Sequence, residues 1–137
     1  MGPERKLWHE LKRITPQIRW TRIENTSVSG TPDLLGYNDS GRYFTVELKV
    51  SRSNKVKLSP HQIAYHVTHP KNSFILVKSL AASTSILYEG SSVKDLAAWG
   101  LELEALCLGL GACGLYLTEL EACGLWLGAS FKGQVPR

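Results

Sequence analysis

Asp33, Glu47 and Lys49 are the residues whose types and spacing could do chemistry. They lie in "GTPDLLGYNDSGRYFTVELKV", residues 30–50, which reads as two β-strands around a turn at "NDSG", 38–41. Along the second strand Phe44, Val46, Leu48 and Val50 share one face, and Tyr43, Thr45, Glu47 and Lys49 share the other. Asp33 and Glu47 sit symmetrically about residue 40. An antiparallel pairing therefore sets them opposite each other to within a residue, with side chains about 5 Å apart on a shared face. Like charges placed this way destabilise a sheet and need a reason. A divalent cation is one: two carboxylates with a backbone carbonyl and waters suit the oxygen preference and octahedral geometry of Mg²⁺. Lys49 points the same way by the strand period, where an ammonium can steady an attacking water or a phosphate oxygen. Together these parts are able to hydrolyse a phosphodiester. The bland alternative is an exposed cross-strand acid pair, with Lys49 bridging to one of the acids.

The flanking segments must position these residues. "PERKLWHELKRI" reads as a helix with Pro3 near its first position and Leu7, Trp8, Leu11 and Ile14 on one apolar face. Glu4 lies within roughly 30° of the centre of that face, an odd place for a carboxylate, whereas Glu10 lies on its flank. Thr15-Pro16 ends the helix. "QIRWTRIE" (17–24) reads as a strand and "NTSVSGT" (25–31) as a loop. "SRSNKVK" (51–57) is a polar, basic loop, and Ser59-Pro60 opens a short helix, "HQIAYHVTH", that Pro70 stops. "FILVK" (74–78) has the continuous apolar character of a strand buried on both faces. "SILYE" (85–89) is expected as an edge strand and "SVKDLAAW" (92–99) as a helix. This order predicts an α/β domain with a mixed central sheet, one hairpin and one crossover connection.

The pattern Pro32-Asp33, thirteen residues, Glu47-x-Lys49 resembles the PD-(D/E)xK nuclease superfamily. Within it, "GTPDLLGY…FTVELK…LSPHQ" is most similar to VRR-NUC-type nucleases and, more loosely, to archaeal Holliday-junction resolvases. Gly30 matches the glycine usual before the Pro-Asp, Glu4-Arg5 the Glu-Arg that opens the first helix of the resolvases, and Gln62 the glutamine on the helix that follows the motif. The resemblance covers roughly residues 2–80. It implies a small restriction-endonuclease-like domain over residues 1–99. It also implies a Mg²⁺-dependent endonuclease (Mn²⁺ substituting) that hydrolyses DNA to 5′-phosphate and 3′-hydroxyl ends, favouring branched or junction DNA. Asp33, Glu47 and the Leu48 carbonyl would hold the metal. Glu4 would complete the site directly or through water, with Glu10 as fallback. Lys49 would orient the water and Gln62 would hold a water or a phosphate oxygen. A sequence-specific homing- or restriction-type nuclease and a non-catalytic DNA-binding subunit are the rival readings. Glu4 as an ordinary first-turn acid and Gln62 as a surface residue are the plainer alternatives.

Charge is uneven. Residues 1–78 carry thirteen Lys or Arg against six Asp or Glu, and residues 79–137 carry three against six. A basic N-terminal half suits a polyanion such as DNA. Arg19, Arg22, Arg52, Lys55 and Lys57 are candidate backbone contacts, with solvated surface as the alternative for each. Trp20 and Tyr65 are better suited to core packing than to stacking on bases. His66 and His69 are spaced i, i+3 without the Cys or acid pattern that would complete a zinc site.

Cys107, Cys113 and Cys123 make neither a disulfide framework nor a zinc pattern, and free thiols in a reducing compartment are the simplest account. The N-terminus is charged at once and has no apolar signal region, so a cytoplasmic location is expected, that of the host cell if the gene is phage-borne. Residues 100–137 form an apolar Leu-, Gly- and Cys-rich extension with a near-duplication, "ACGLYL" and "ACGLWL". Its longest uncharged run, fourteen residues, is too short to span a bilayer. The extension is a candidate homodimer interface, in keeping with two active sites on a symmetric junction.

Overall fold

Leu7, Trp8, Leu11 and Ile14 are all buried on helix α1 (Pro3–Ile14), as their spacing predicts. The computed structural model describes residues 2–23, 30–81, 84–102 and 114–116. After α1 come strands β1 (Arg19–Arg22), β2 (Leu34–Tyr37) and β3 (Tyr43–Ser51), helix α2 (Pro60–Thr68), strands β4 (Ser73–Ser79) and β5 (Thr84–Glu89), helix α3 (Val93–Trp99) and strand β6 (Gly114–Tyr116). The strands form one mixed sheet in the order β1-β2-β3-β4-β5-β6. All neighbours are antiparallel except β3 and β4, and α2 supplies the crossover that a parallel pair requires.

The sheet separates two apolar layers. On one face α1 packs on Leu34, Phe44, Val46, Leu48, Phe74, Leu76 and Leu87. On the other, Ile75, Val77, Ile86 and Tyr88 pack with Val56 and with Val93 and Leu96 of α3. β4 lies between, and Phe74 to Val77 are at most 1% exposed, which explains why its sequence runs apolar without alternation. Trp20, half-buried, packs against this core: it stacks edge-on against Trp8 and Phe44, and its indole N–H donates to Thr15 Oγ1 at 3.0 Å.

One expectation is corrected. β5 is not an edge strand, because β6 pairs with it through Ile86↔Tyr116, Leu87↔Leu115 and Tyr88↔Gly114. Ser85, Ile86, Leu87 and Tyr88 are accordingly buried. Gly114–Tyr116 belongs to the first of the two near-duplicate hexapeptides. Of the apolar extension, residues 103–113 and 117–137, including all three cysteines, lie outside the described residues. No helix among the described residues is long and apolar enough to cross a membrane.

Candidate active site

The β2–β3 ladder fixes the acid pair. Its register runs from Tyr37↔Tyr43 to Leu34↔Val46, so the next step sets Asp33 against Glu47. Asp33 Oδ2 accepts the Leu48 N–H at 2.8 Å, which ties the start of β2 to the middle of β3. In an antiparallel ladder the amide and carbonyl of one residue face the same neighbouring strand. The Leu48 carbonyl therefore looks toward the Asp33 side, where β2 has ended and leaves it room. Glu47 stands on the face opposite Val46 and Leu48 and is only 2% exposed.

Helix α2 supplies the third group. Ser59 caps it reciprocally with Gln62: Ser59 Oγ accepts the Gln62 N–H at 3.2 Å, and Gln62 Oε1 accepts the Ser59 N–H at 3.0 Å. With its oxygen held there, the Gln62 amide turns its nitrogen to Glu47 Oε1, 2.7 Å away. Gln62 thus engages the carboxylate itself, whereas the sequence suggested a water or phosphate partner. Gly30 lets the loop before Asp33 approach this helix. Its φ of +85° suits glycine, and a Cβ would lie 2.5 Å from the His61 carbonyl oxygen.

Burial pushes the Glu47 carboxyl up to about 9, helped by its hydrogen bond to Asp33 and then by the Asp33 charge, with Lys49 and Gln62 acting the other way. The physical content is simple. Two carboxylates, Glu47 buried and Asp33 half-buried, share a small volume, so the pair holds either a proton or a cation. The donor set is oxygen only, with two acids and the Leu48 carbonyl on the Asp33 side, and it fits a hard divalent ion such as Mg²⁺ or Mn²⁺. Lys49, half-buried two residues along the same face, adds its charge to both Glu47 and Glu4.

Glu4 stands at the open N-terminal end of α1. The residue is exposed, yet its carboxyl is raised, first by partial desolvation and then by Asp33, against the pull of Lys49 and Arg22. Among the described residues no three His, Cys, Asp or Glu side chains gather to hold a metal ion, so Glu4 borders the pair without joining it in one cluster. Glu10, six residues further on, is roughly 9 Å up the helix axis from Glu4 and lines neither recess at the site.

Glu4 is shared by two recesses. One, of about 240 Å³, lies between α1 and the start of β2, with Arg5, Arg22 and Asp33 on its walls. The other, of about 630 Å³, is lined by Lys49, Arg52, Lys55 and Lys57. Four of the proposed cationic contacts therefore flank the acid pair. Arg19 does not: it pairs with Tyr37 at the far end of β1, three residues or about 10 Å from Arg22. Arg5, which the resemblance matches without implying a role, joins this cationic lining. Its signal was its place beside Glu4 on the first turn of α1. The histidines divide as well. His66 is fully buried, with Nδ1 3.1 Å from Ser73 Oγ, while His69 is exposed and stacks on Tyr65 with centroids 4.2 Å apart.

No protein-family model and no curated protein matches the chain. Among solved structures it is similar to Hjc, a Holliday junction resolvase from the archaeal hyperthermophile Archaeoglobus fulgidus. The identity is 20%, covering 64% of this chain and 74% of that one, with a TM-score of 0.49. It is also similar to a VRR_NUC domain at 23% identity, covering 72% of this chain and 97% of that one, with a TM-score of 0.48.

Proposed function

We propose that this chain is a Mg²⁺-dependent endonuclease that hydrolyses DNA phosphodiester bonds and selects branched or otherwise structured DNA. The observation that carries the reading is the pairing of half-buried Asp33 with buried Glu47, held by the Leu48 N–H and Gln62, with Lys49 beside it and cation-lined recesses on both sides. Asp33, Glu47 and the Leu48 carbonyl would hold the ion, with Glu4 reached through water. When bound, such an ion acidifies a coordinated water and polarises a phosphoryl oxygen.

The remaining work falls to the chain. Gln62 and the Leu48 amide fix both carboxylates, so the acids are oriented before substrate arrives. Lys49 donates to the attacking water or to a non-bridging oxygen as negative charge develops on phosphorus. Arg5 and Arg22 on one side, and Arg52, Lys55 and Lys57 on the other, position neighbouring phosphates without reading bases. Water adds to phosphorus and the bond to the 3′ oxygen breaks, leaving 5′-phosphate and 3′-hydroxyl ends, as the motif's resemblance implies. Selection of branched DNA and a homodimer with two sites rest on that same resemblance.

The test is cleavage of end-labelled four-way junction, splayed-arm, single-stranded and linear duplex DNA with Mg²⁺, Mn²⁺ or EDTA, beside Asp33→Ala and Lys49→Ala. Metal-dependent cutting lost in both variants is expected, with branched substrates preferred. A defined cut on linear duplex would identify a sequence-specific enzyme. Binding without cutting under every metal would make the chain a non-catalytic DNA-binding subunit.

A further inference from the structure

The basic loop after β3 is held in a fixed shape, and part of what holds it comes from the far end of the domain. Ser51 Oγ lies 2.7 Å from the Ser53 carbonyl and 2.5 Å from the Lys55 carbonyl, sharing its one proton between them. It also accepts the Ser53 N–H at 3.3 Å, and Ser53 Oγ accepts the Lys55 N–H at 3.2 Å. These contacts curl the loop so that Arg52, Lys55 and Lys57 line one recess with Lys49 and Glu4.

The turn that ends α3 closes on the same loop. The Leu101 N–H donates to the Asn54 carbonyl at 2.6 Å. Gly100, the C-cap of α3, has φ +60° and ψ −142°, and a Cβ there would overlap the Asn54 carbonyl oxygen. Only glycine combines that backbone with that approach. Leu101 then packs against the apolar layer that contains Val56 at the loop's other end. A loop of exposed cations has every electrostatic reason to splay into solvent. This one is pinned at its tip by a backbone hydrogen bond and at its end by burial.

We propose that the Gly100–Leu101 turn is a positioning element that presents Arg52, Lys55 and Lys57 as a wall for the phosphates of one nucleic-acid strand leading to Asp33 and Glu47. The binding chemistry is polyphosphate recognition by pre-set point charges, so its strength follows the number of phosphates reached and falls with salt. Gly100 touches no substrate and acts through Asn54. The proposal rests on the nuclease reading for its orientation toward the acid pair, but binding to the wall requires neither metal nor cleavage.

The test is therefore run in EDTA, with a fluorescein-labelled single-stranded oligonucleotide and anisotropy measured across a salt series. The proteins are wild type, Gly100→Ala and the combined Arg52→Gln/Lys55→Gln/Lys57→Gln variant. The combined variant is expected to flatten the slope of log affinity against log salt by about 2, since each phosphate contact on a single strand contributes about 0.7. Gly100→Ala, with all three charges intact, is expected to flatten it by about 1. A purely structural glycine would leave that slope unmoved in whatever fraction folds. Amide hydrogen exchange on wild type covers the case in which Gly100→Ala does not fold: adding oligonucleotide should slow residues 52–57 and the Leu101 amide together. Equal slopes in wild type and Gly100→Ala, or a Leu101 amide indifferent to the oligonucleotide, would overturn the proposal even if the protein cuts DNA. The expected flattening of both slopes, together with no cutting under any metal, would instead sink the nuclease reading and leave the wall standing.

Discussion

The Gln62 side-chain nitrogen donates to Glu47 Oε1 at 2.7 Å while the Gln62 oxygen is occupied by the Ser59 backbone N–H. One side chain closes the capping box of α2 and orients a buried acid, so helix stability and site geometry are coupled. Gln62→Leu should lower cleavage about 10- to 100-fold, the usual loss when a group orienting a metal ligand is removed. It should also cost about 1 kcal/mol of stability through the lost cap. Ser59→Ala should cost a similar amount in stability but less in rate, because the amide nitrogen still reaches Glu47. Parallel melting and cleavage assays separate the two, and a Gln62→Leu enzyme cutting at wild-type rate would show that Glu47 needs no such partner.

Metal affinity should depend steeply on pH. In the metal-free protein the folded Glu47 carboxyl is raised above its ordinary 4.5, so the native acid pair keeps a proton through neutral pH, and a bound cation must displace it. Apparent affinity for Mn²⁺ is then expected to rise about tenfold per pH unit between pH 6 and 8, with close to one proton released per ion. Calorimetry in buffers of different ionisation enthalpy counts that proton. Without metal the same shift runs the other way for stability: the contribution is full below about 4.5 and is lost as pH rises toward 9. Glu47→Gln should abolish that decline.

Two glycines with positive φ provide a direct comparison. Gly41 in the hairpin turn has φ +78° and open space, its nearest neighbour being the Tyr37 hydroxyl at 3.5 Å. Gly30 has φ +85° and the His61 carbonyl against it. Gly41→Ala should cost about 1 kcal/mol for backbone strain alone. Gly30→Ala should cost at least about 2 kcal/mol more, because α2 must retreat from backbone contact. Urea titrations measure both. If the two costs are equal, the close approach of the Asp33 loop to α2 is not rigid.

Much of this was legible because strand and helix periods translate directly into direction. The symmetry of Asp33 and Glu47 about residue 40 gave the register, and the apolar alternation of β3 put Glu47 on the face away from α1. Contacts between segments distant in sequence were not legible. Nothing in "SILYE" told of β6, because outer-edge pairing depends on a partner more than twenty residues away that carries no alternation of its own. Nothing in the sequence singled out Gly100 beyond its place after the helix expected over 92–99, since its reason is the Asn54 carbonyl from another loop. His66 in "HQIAYHVTH" gave no sign of being interior while His61 and His69 are not, because a nine-residue helix with few large apolar side chains does not define its own buried face.

His66 is expected to limit how far the fold tolerates acid. It is fully buried between α2 and β4, with Nδ1 on Ser73 Oγ and Nε2 without a hydrogen-bond partner among the described residues. Burial, with a smaller push from His69, lowers it from 6.5 to about 4. The unfolded chain therefore takes up the proton first as pH falls. The stability that His66 contributes as a neutral ring is intact above about 6.5 and is lost progressively down to about 4. Such a displacement corresponds to roughly 3 kcal/mol, a substantial share of the stability of a domain this size. In a Glu47→Gln background, which removes the opposing trend of the acid pair, the melting temperature should drop by about 10 °C or more between pH 7 and pH 4.5, and His66→Asn is compared in that same background. His66→Asn keeps a polar side chain near Ser73 but cannot titrate, so it should start less stable at pH 7 and lose much less on acidification. Parallel declines in the two proteins would assign the acid sensitivity to the carboxylates instead.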